Sequence, residues 1–139
     1  HNGLKGEVEV GAAFEYAYAG FGFGVGKPME GSSKKFMSVD ASNWVNICME
    51  YESSASFNVE LINSDSLNTY TEGNFYKASF PKAVVRQTKC VSISKDFKQE
   101  TNWGNTITKE DALKDLAAIE FRFEKSADFY IRAIAIGLK

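Results

Sequence analysis

The chain has 139 residues and a formal net charge of −2, from 16 basic and 18 acidic residues. This length predicts one hydrophobic core, so we expect residues 1–139 to form a single domain. A charge this small gives no global attraction to nucleic acid or to an anionic membrane. No run of about 20 apolar residues occurs, which argues against a membrane-spanning segment. The 14% share of aromatic residues favours strands over helices.

Period-two alternation of apolar and polar residues marks strands that bury one face. The irregular or polar segments between them are 27–42, 64–74 and 95–106. One short helix is predicted at 108–117, where Thr108 is a suitable N-cap and Asp111 follows three residues later. In chain order the predicted strands are 4–10, 14–18, 21–25, 43–52, 56–63, 75–81, 89–94, 118–124 and 127–139.

Many short strands with a single short helix predict an all-β fold, a sandwich or a barrel. In the strand at 21–25, the glycines from Gly20 to Gly26 share one face, opposite Phe21 and Phe23. Alternation also assigns the faces of the strands at 56–63 and 118–124. The inward set is Phe57, Val59, Leu61, Ile119, Phe121 and Phe123, and the outward set is Asn58, Glu60, Ile62, Glu120, Arg122 and Glu124.

The two cysteines, Cys48 and Cys90, each lie within an alternating strand. Their spacing fits neither a redox pair nor a zinc knuckle. Two interpretations stay open: two separate buried thiols, or a disulfide between neighbouring strands, which would suit a secreted protein.

The candidate chemistry for catalysis is sparse. His1 is the only histidine and lies at the chain end, which excludes Ser-His-Asp and Cys-His machinery. Paired carboxylates could hydrolyse glycosides. However, four glutamates on outward faces are expected by chance among 18 acidic residues, so the sequence predicts no enzyme. These four are Glu50, Glu60, Glu120 and Glu124.

The order of YAGFGFGVG, VDASNW and ICMEYESSASFNVEL, followed by SFPK, FKQETNWG and AIEFRFEKSADFYIRAIAIG, resembles the jelly-roll carbohydrate-binding modules of families 11 and 30. These modules lie within the wider galactose-binding-like group. The resemblance covers residues 8–138 and implies a two-sheet antiparallel β-sandwich.

The resemblance also implies a function: a secreted or cell-surface, non-catalytic domain that binds polysaccharide. Such a domain would target a covalently attached enzyme to plant cell-wall β-glucan, cellulose or xylan. A structural calcium is common in these modules, although its ligands have no match that we identify here. The alternative function is a surface-adhesion or protein-interaction domain with the same fold.

A sugar ring presents an apolar face of C–H groups and a rim of hydroxyls, so its site needs aromatic planes and polar or charged groups. Trp103, beside Gly104 in a polar segment, is the best stacking candidate, whereas Trp44 fits a packed edge position equally well. For the tyrosines the alternative is partial burial with a satisfied hydroxyl, and for Arg122 and Glu120 it is a cross-strand ion pair. The predicted ligand-binding residues are Trp103, Tyr70, Tyr76, Asn58, Glu60, Arg86, Gln99, Glu120 and Arg122.

Overall fold

The computed structural model describes residues 3–11, 18–31 and 35–139. Apart from Tyr18, the predicted strand at 14–18 lies outside the described residues. Within the described ranges the elements, in order, are β1 (Leu4–Val8), β2 (Ala19–Gly24), β3 (Trp44–Ser53), β4 (Phe57–Asn63), α1 (Asp65–Thr71), β5 (Tyr76–Phe80), β6 (Ala83–Ser92), α2 (Ile93–Asp96), α3 (Lys109–Lys114), β7 (Leu116–Phe123) and β8 (Ala127–Leu138).

The strands form two four-stranded sheets in which every pairing is antiparallel. One sheet has the order β1-β8-β3-β6 and is called the β3 sheet. The other has the order β2-β7-β4-β5 and is called the β4 sheet. The two-sheet antiparallel sandwich expected from the sequence is therefore confirmed.

The core lies between the two sheets and is strongly aromatic. Phe21 of β2 stacks on Phe129 of β8, with ring centroids 4.7 Å apart, so rings from the two sheets interdigitate. Tyr51 of β3 meets Phe57 of β4 edge-on at 5.4 Å, which joins the sheets a second time. Edge-to-face and offset contacts of this kind add to the stabilisation that burial alone provides.

The predicted faces of β4 and β7 are confirmed. Phe57, Val59 and Leu61 of β4 are buried in the core, as are the inward residues of β7. The outward residues of β4 and β7 lie on the surface of the β4 sheet that faces away from the core.

The prediction of a single helix is incomplete, because the described residues contain three helices. The sequence predicts a loop at 64–74, but α1 occupies most of it. The segment has no apolar stripe of helical period, and Leu67 is its only aliphatic residue, which is why the pattern gave no helix. Glu72 then ends α1 in the left-handed region, with φ of 61°.

The helix predicted at 108–117 begins as expected but ends early. The Thr108 hydroxyl accepts a hydrogen bond from the Asp111 amide, 3.1 Å away, and so caps α3. The helix stops at Lys114 because Leu116 already belongs to β7, where its backbone pairs with Val39. Strand β6 also begins at Ala83, six residues before the predicted strand at 89–94.

Cys48 and Cys90 form a disulfide, so the interpretation as two separate buried thiols is wrong. The register of β3 and β6 places the two residues directly opposite each other. Both side chains lie on the outer face of the β3 sheet, and Cys90 is exposed. In the part of the chain that the structure describes, no helix is long and apolar enough to cross a membrane.

Candidate functional site

The outer face of the β4 sheet carries its side chains in three rows that cross the strands, because the register aligns alternate residues of β2, β7, β4 and β5. Each row begins with a glycine of β2. The other side chains of the first two rows are polar or charged, and those of the third row are apolar. The first row is Gly20, Arg122, Asn58 and Ser79, the second is Gly22, Glu120, Glu60 and Lys77, and the third is Gly24, Ala118 and Ile62.

Arg122 lies beneath an exposed aromatic ring. Its guanidinium carbon is 3.8 Å from the ring centroid of Tyr18, which immediately precedes β2. Tyr18 is 54% exposed, so its ring is backed by a cation on one side and accessible from solvent. Among the described residues, the buried Nε of Arg122 has no hydrogen-bond partner. An unpaired buried donor costs free energy.

Two carboxyl groups, Glu60 and Glu120, stand opposite each other on β4 and β7 in the second row. Glu60 is only 5% exposed, although it points away from the core. Burial raises the pKa of Glu60 above its ordinary value; Arg122 opposes the rise, and the Glu120 carboxylate adds to it. Burial also raises the pKa of Glu120, again opposed by Arg122. The pair therefore places two carboxyl groups at the middle of the face, where burial disfavours their ionised forms.

The β4 sheet extends beyond β5 through a short backbone pairing of Lys77 with Lys98. The Nζ of Lys77 is 3.0 Å from the Glu100 carboxylate, which joins the second row to the segment that follows. Trp103 lies in this segment and is 47% exposed. It therefore borders the face on the β5 side, whereas Tyr18 borders it on the β2 side.

A buried amide, Asn74, fixes the Trp103 segment. Its Nδ2 donates to the backbone oxygens of Glu100 and Trp103, at 2.8 and 3.0 Å, and its Oδ1 accepts from the Glu100 amide at 3.0 Å. Gly104 has φ of 66°, and a Cβ there would lie 2.5 Å from the Thr71 oxygen, so this position requires glycine. The turn that presents Trp103 is thus closely specified.

Gln99 and Tyr70 lie beside the same segment. The Gln99 Nε2 donates to the Asn74 oxygen at 2.7 Å, and its Oε1 accepts from the Ile107 amide at 3.0 Å. Both ends of the Gln99 amide are thus engaged within the protein. Tyr70 is exposed on α1, and its backbone oxygen accepts from the Asn105 side chain at 2.8 Å.

Two predicted ligand-binding residues lie away from this face. Tyr76 pairs with Leu61 on the core side of the β4 sheet, and its hydroxyl donates to the Ile107 oxygen at 2.7 Å. Arg86 lies on β6 of the other sheet, where its Nε is 3.2 Å from Glu52 and its guanidinium carbon is 4.9 Å from the Tyr130 ring centroid. Alternation does not reveal to which sheet a strand belongs, so the sequence could not show that Arg86 and Arg122 lie on opposite sheets.

The outer face of the β4 sheet therefore brings together four of the residues predicted from sequence: Asn58, Glu60, Glu120 and Arg122. Trp103, Gln99 and Tyr70 lie along its β5 margin. Their role in binding stays a prediction. Sequence reasoning missed Tyr18, whose even-numbered position shares the parity of Gly20, Gly22 and Gly24 and so indicates the same outward face.

Among the described residues, no group of three or more histidine, cysteine, aspartate or glutamate side chains is gathered in a way that could hold a metal ion. The structural calcium implied by the resemblance stays a prediction.

No model of a known protein family matches the chain, and no curated protein matches it either. Solved structures do match. The family 11 carbohydrate-binding module of the cellulosomal cellulase Lic26A-Cel5E of Clostridium thermocellum aligns over 100% of this chain and 89% of its own, at 14% identity and a TM-score of 0.52. A family 11 module from the same organism, in complex with a β-1,3-1,4-mixed-linked tetrasaccharide, aligns over 95% of this chain and 87% of its own, at 14% identity and a TM-score of 0.52.

The solution structure of CtCBM11 covers 96% of both chains, at 13% identity and a TM-score of 0.52. At such low identity, the likeness concerns the fold. The resemblance of this chain to family 11 carbohydrate-binding modules is confirmed at that level.

Proposed function

We propose that the outer face of the β4 sheet binds a polysaccharide chain of the β-glucan, cellulose or xylan class without cleaving it. The observation that carries this proposal is the exposed Tyr18 ring, stacked on Arg122 beside two rows of hydrogen-bonding side chains. An aromatic plane next to polar groups is the combination that a sugar ring requires.

The dimensions of the face support a chain rather than a single sugar. Five strand segments, from β2 to the Lys98 pairing, span roughly 19 Å at the usual spacing between strands. Tyr18 and Trp103 stand at opposite margins of this span. Tyr18 lies at the first-row end of the strands, whereas Trp103 bonds Asn74 beyond the third row. A ligand that runs diagonally across the strands would meet one ring at each margin and the polar rows between them.

The charges of the face support a neutral ligand. Arg122 and Lys77 are balanced by Glu60 and Glu120 in the same two rows. A glycan rich in carboxylates would therefore meet two buried or half-buried carboxyl groups near the centre of the face, where like charges repel strongly. The hydroxyls of a neutral glycan can donate to the half-buried Glu120 carboxylate and accept from Arg122.

We further propose that this domain belongs to a secreted protein, in which it directs an attached enzyme to plant cell-wall material. The Cys48–Cys90 disulfide supports an oxidising compartment outside the cytosol. The low exposure of Glu60 supports a non-catalytic role, since a carboxyl group that attacks or protonates a glycosidic bond must reach it.

The decisive test is affinity gel electrophoresis in gels that contain soluble mixed-linkage β-glucan or xylan. Two arginines offer a matched pair, because each lies over a tyrosine ring, but on opposite sheets. We expect Arg122→Ala to weaken binding by at least about tenfold, since a charged hydrogen-bond donor and the support of Tyr18 are lost together. Tyr18→Ala and Trp103→Ala should each weaken binding by a similar factor. Arg86→Ala should leave binding unchanged.

Equal losses in Arg122→Ala and Arg86→Ala would contradict the placement of the site. Absence of retardation by any of a broad polysaccharide panel would overturn carbohydrate binding itself. A protein partner recovered by pulldown, with a blank glycan array, would favour the adhesion alternative. Hydrolysis of a reporter glycoside that is lost in Glu60→Gln would show that the face is catalytic.

A further inference from the structure

The outer face of the β4 sheet continues into an apolar cleft of about 460 Å³ at its third row. Ile62 and Ala118 line this cleft from the sheet. One wall is an arm formed by residues 27–31 and 35–39, which contributes Met29, Phe36 and Met37. We call this feature the methionine cleft and define it by these five residues. The start of α1 forms the opposite wall.

The arm is anchored against the sheet. Backbone hydrogen bonds of 2.8 Å join Met29 to Lys35 and Met37 to Lys27, so the two segments pair with each other. The Phe36 ring packs directly against Gly24, where any side chain would overlap it. These contacts give the methionine cleft a defined wall.

An ion pair connects the two walls. The Nζ of Lys35, on the arm, is 2.6 Å from the Asp65 carboxylate, in the first turn of α1. Both side chains are exposed, so the pair contributes little to stability. It does connect the arm to α1 beside the cleft.

Several polar residues that line the cleft are already satisfied within the protein. The Asn63 amide donates to the backbone oxygens of Ala112 and Asp115, at 2.8 and 2.9 Å. The Asn68 side chain bonds to the Asn63 backbone, and the Ser64 hydroxyl donates to Asp115 at 2.6 Å. These engaged groups leave the thioethers, the ring and the aliphatic side chains as the main surface available to a ligand.

Bare sugar hydroxyls would lose water in such a cleft without finding equivalent partners, which is unfavourable. Met29 and Met37 are nonetheless 45% and 56% exposed, and flexible thioethers adapt well to small apolar groups. The methionine cleft adjoins the polar rows through the third row of the same sheet. A chain bound on those rows would therefore bring its substituents to the cleft.

We propose that the methionine cleft receives an apolar ester substituent, of the O-acetyl class, carried by the bound polysaccharide. This inference rests on the proposed function, because the sugar chain holds the substituent at the cleft. It makes the protein selective for acetylated over bare chains, through burial of the acetyl methyl group.

The test uses NMR of the protein labelled with ¹³C at its methionine methyl groups. The chain has three methionines, and the third, Met49, is buried in the core, where it serves as an internal reference. The probes are cellotetraose and the same tetrasaccharide after partial O-acetylation. We expect the acetylated probe to shift the methyl signals of Met29 and Met37 but not that of Met49, and to bind about fivefold more tightly. The backbone amide of Gly22 reports binding to the polar rows.

Substitutions separate the cleft from the rest of the face. The double variant Met29→Gln, Met37→Gln keeps a similar side-chain size at two exposed positions. It should bind the two probes equally while retaining the affinity of the unmodified protein for cellotetraose. The matched control is Val84→Thr, Val85→Thr on β6, where both valines are exposed on the other sheet. This control should retain the fivefold preference.

If both probes bind equally and shift Gly22 but neither methyl signal, the inference about the cleft is wrong and the proposed function stands. A preference for the acetylated probe that survives in the double methionine variant would also overturn the inference. If neither probe shifts any signal, the face does not bind this glucan chain and the inference about the cleft is wrong, whereas the proposed function is then decided by the polysaccharide panel.

Discussion

At the scale of single residues, Glu60 stands out because a carboxyl group on the outer side of a sheet is almost fully buried. Its raised pKa means that the folded protein binds this proton more tightly than the unfolded chain does. Burial and the neighbouring Glu120 thus outweigh the attraction of Arg122. The ionised carboxylate consequently destabilises the fold at neutral pH, and this penalty is relieved as the pH falls through the raised pKa.

We expect Glu60→Gln to increase the free energy of unfolding at pH 7 by on the order of 1 kcal/mol, because glutamine keeps the shape and removes the buried charge. The gain should shrink as the pH is lowered, since Glu60 of the unmodified protein then becomes protonated. Urea denaturation at several pH values measures this difference. Glu9→Gln, at an exposed position after β1, is the control and should change little. A gain at pH 7 that persists unchanged in acid would refute the explanation.

Single residues also mark where sequence reasoning succeeds and where it stops. Alternation places Asn58, Glu60 and Arg122 on an outward face, and the structure agrees, because burial on one side of a strand leaves a period-two signature. The even-numbered position of Tyr18 likewise indicates the outward face. Its contact with Arg122, however, depends on the pairing of β2 with β7, which joins residues about a hundred positions apart.

At the scale of secondary-structure elements, the sequence predicts best the strands that are central to a sheet. Strands β3, β4 and β7 alternate cleanly because each has neighbours on both sides and one face on the core. Strand β6 lies at an edge, and its residues 84–88 are all exposed, so little periodicity marks the first half of this strand. The short helices α1 and α2 are not predicted from the sequence for a similar reason, since each buries only one residue and leaves no apolar pattern.

The disulfide links β6 to β3 on the outer face of their sheet, away from the core. Its removal should therefore disturb little packing and act mainly through the unfolded chain, which gains conformational entropy. The two cysteines are 42 residues apart in sequence. A closed loop of this length corresponds to a stabilisation of about 2–4 kcal/mol.

We accordingly expect the double variant Cys48→Ala, Cys90→Ala to fold and to lose about 2–4 kcal/mol in urea denaturation. Unmodified protein treated with a thiol reductant should approach the same stability. As a control, the reductant should leave the free energy of unfolding of the double variant unchanged. If the variant matches the oxidised protein in stability, the constraint of the unfolded chain by this disulfide is negligible.

At the scale of the whole molecule, the two sheets share one core. Rings from β2, β4 and β7 pack against rings from β3 and β8, and the buried cluster extends from Ala41 to Ile131. Neither sheet could keep its inner face covered if the other detached, because each supplies the apolar surface that the other buries. The binding face on one sheet thus depends on the integrity of both.

This shared core predicts that the two sheets unfold together. The chain has two tryptophans, of which Trp44 begins β3 and packs partly against the core, while Trp103 borders the β4 sheet. In Trp44→Phe the fluorescence reports on Trp103 alone, and in Trp103→Phe on Trp44 alone. Within each variant, we expect the fluorescence midpoint in urea to coincide with the far-ultraviolet circular dichroism midpoint, as in a two-state transition. If fluorescence of Trp103 changes at lower urea than the circular dichroism does, its segment unfolds separately and the cooperative unit excludes that margin of the proposed site.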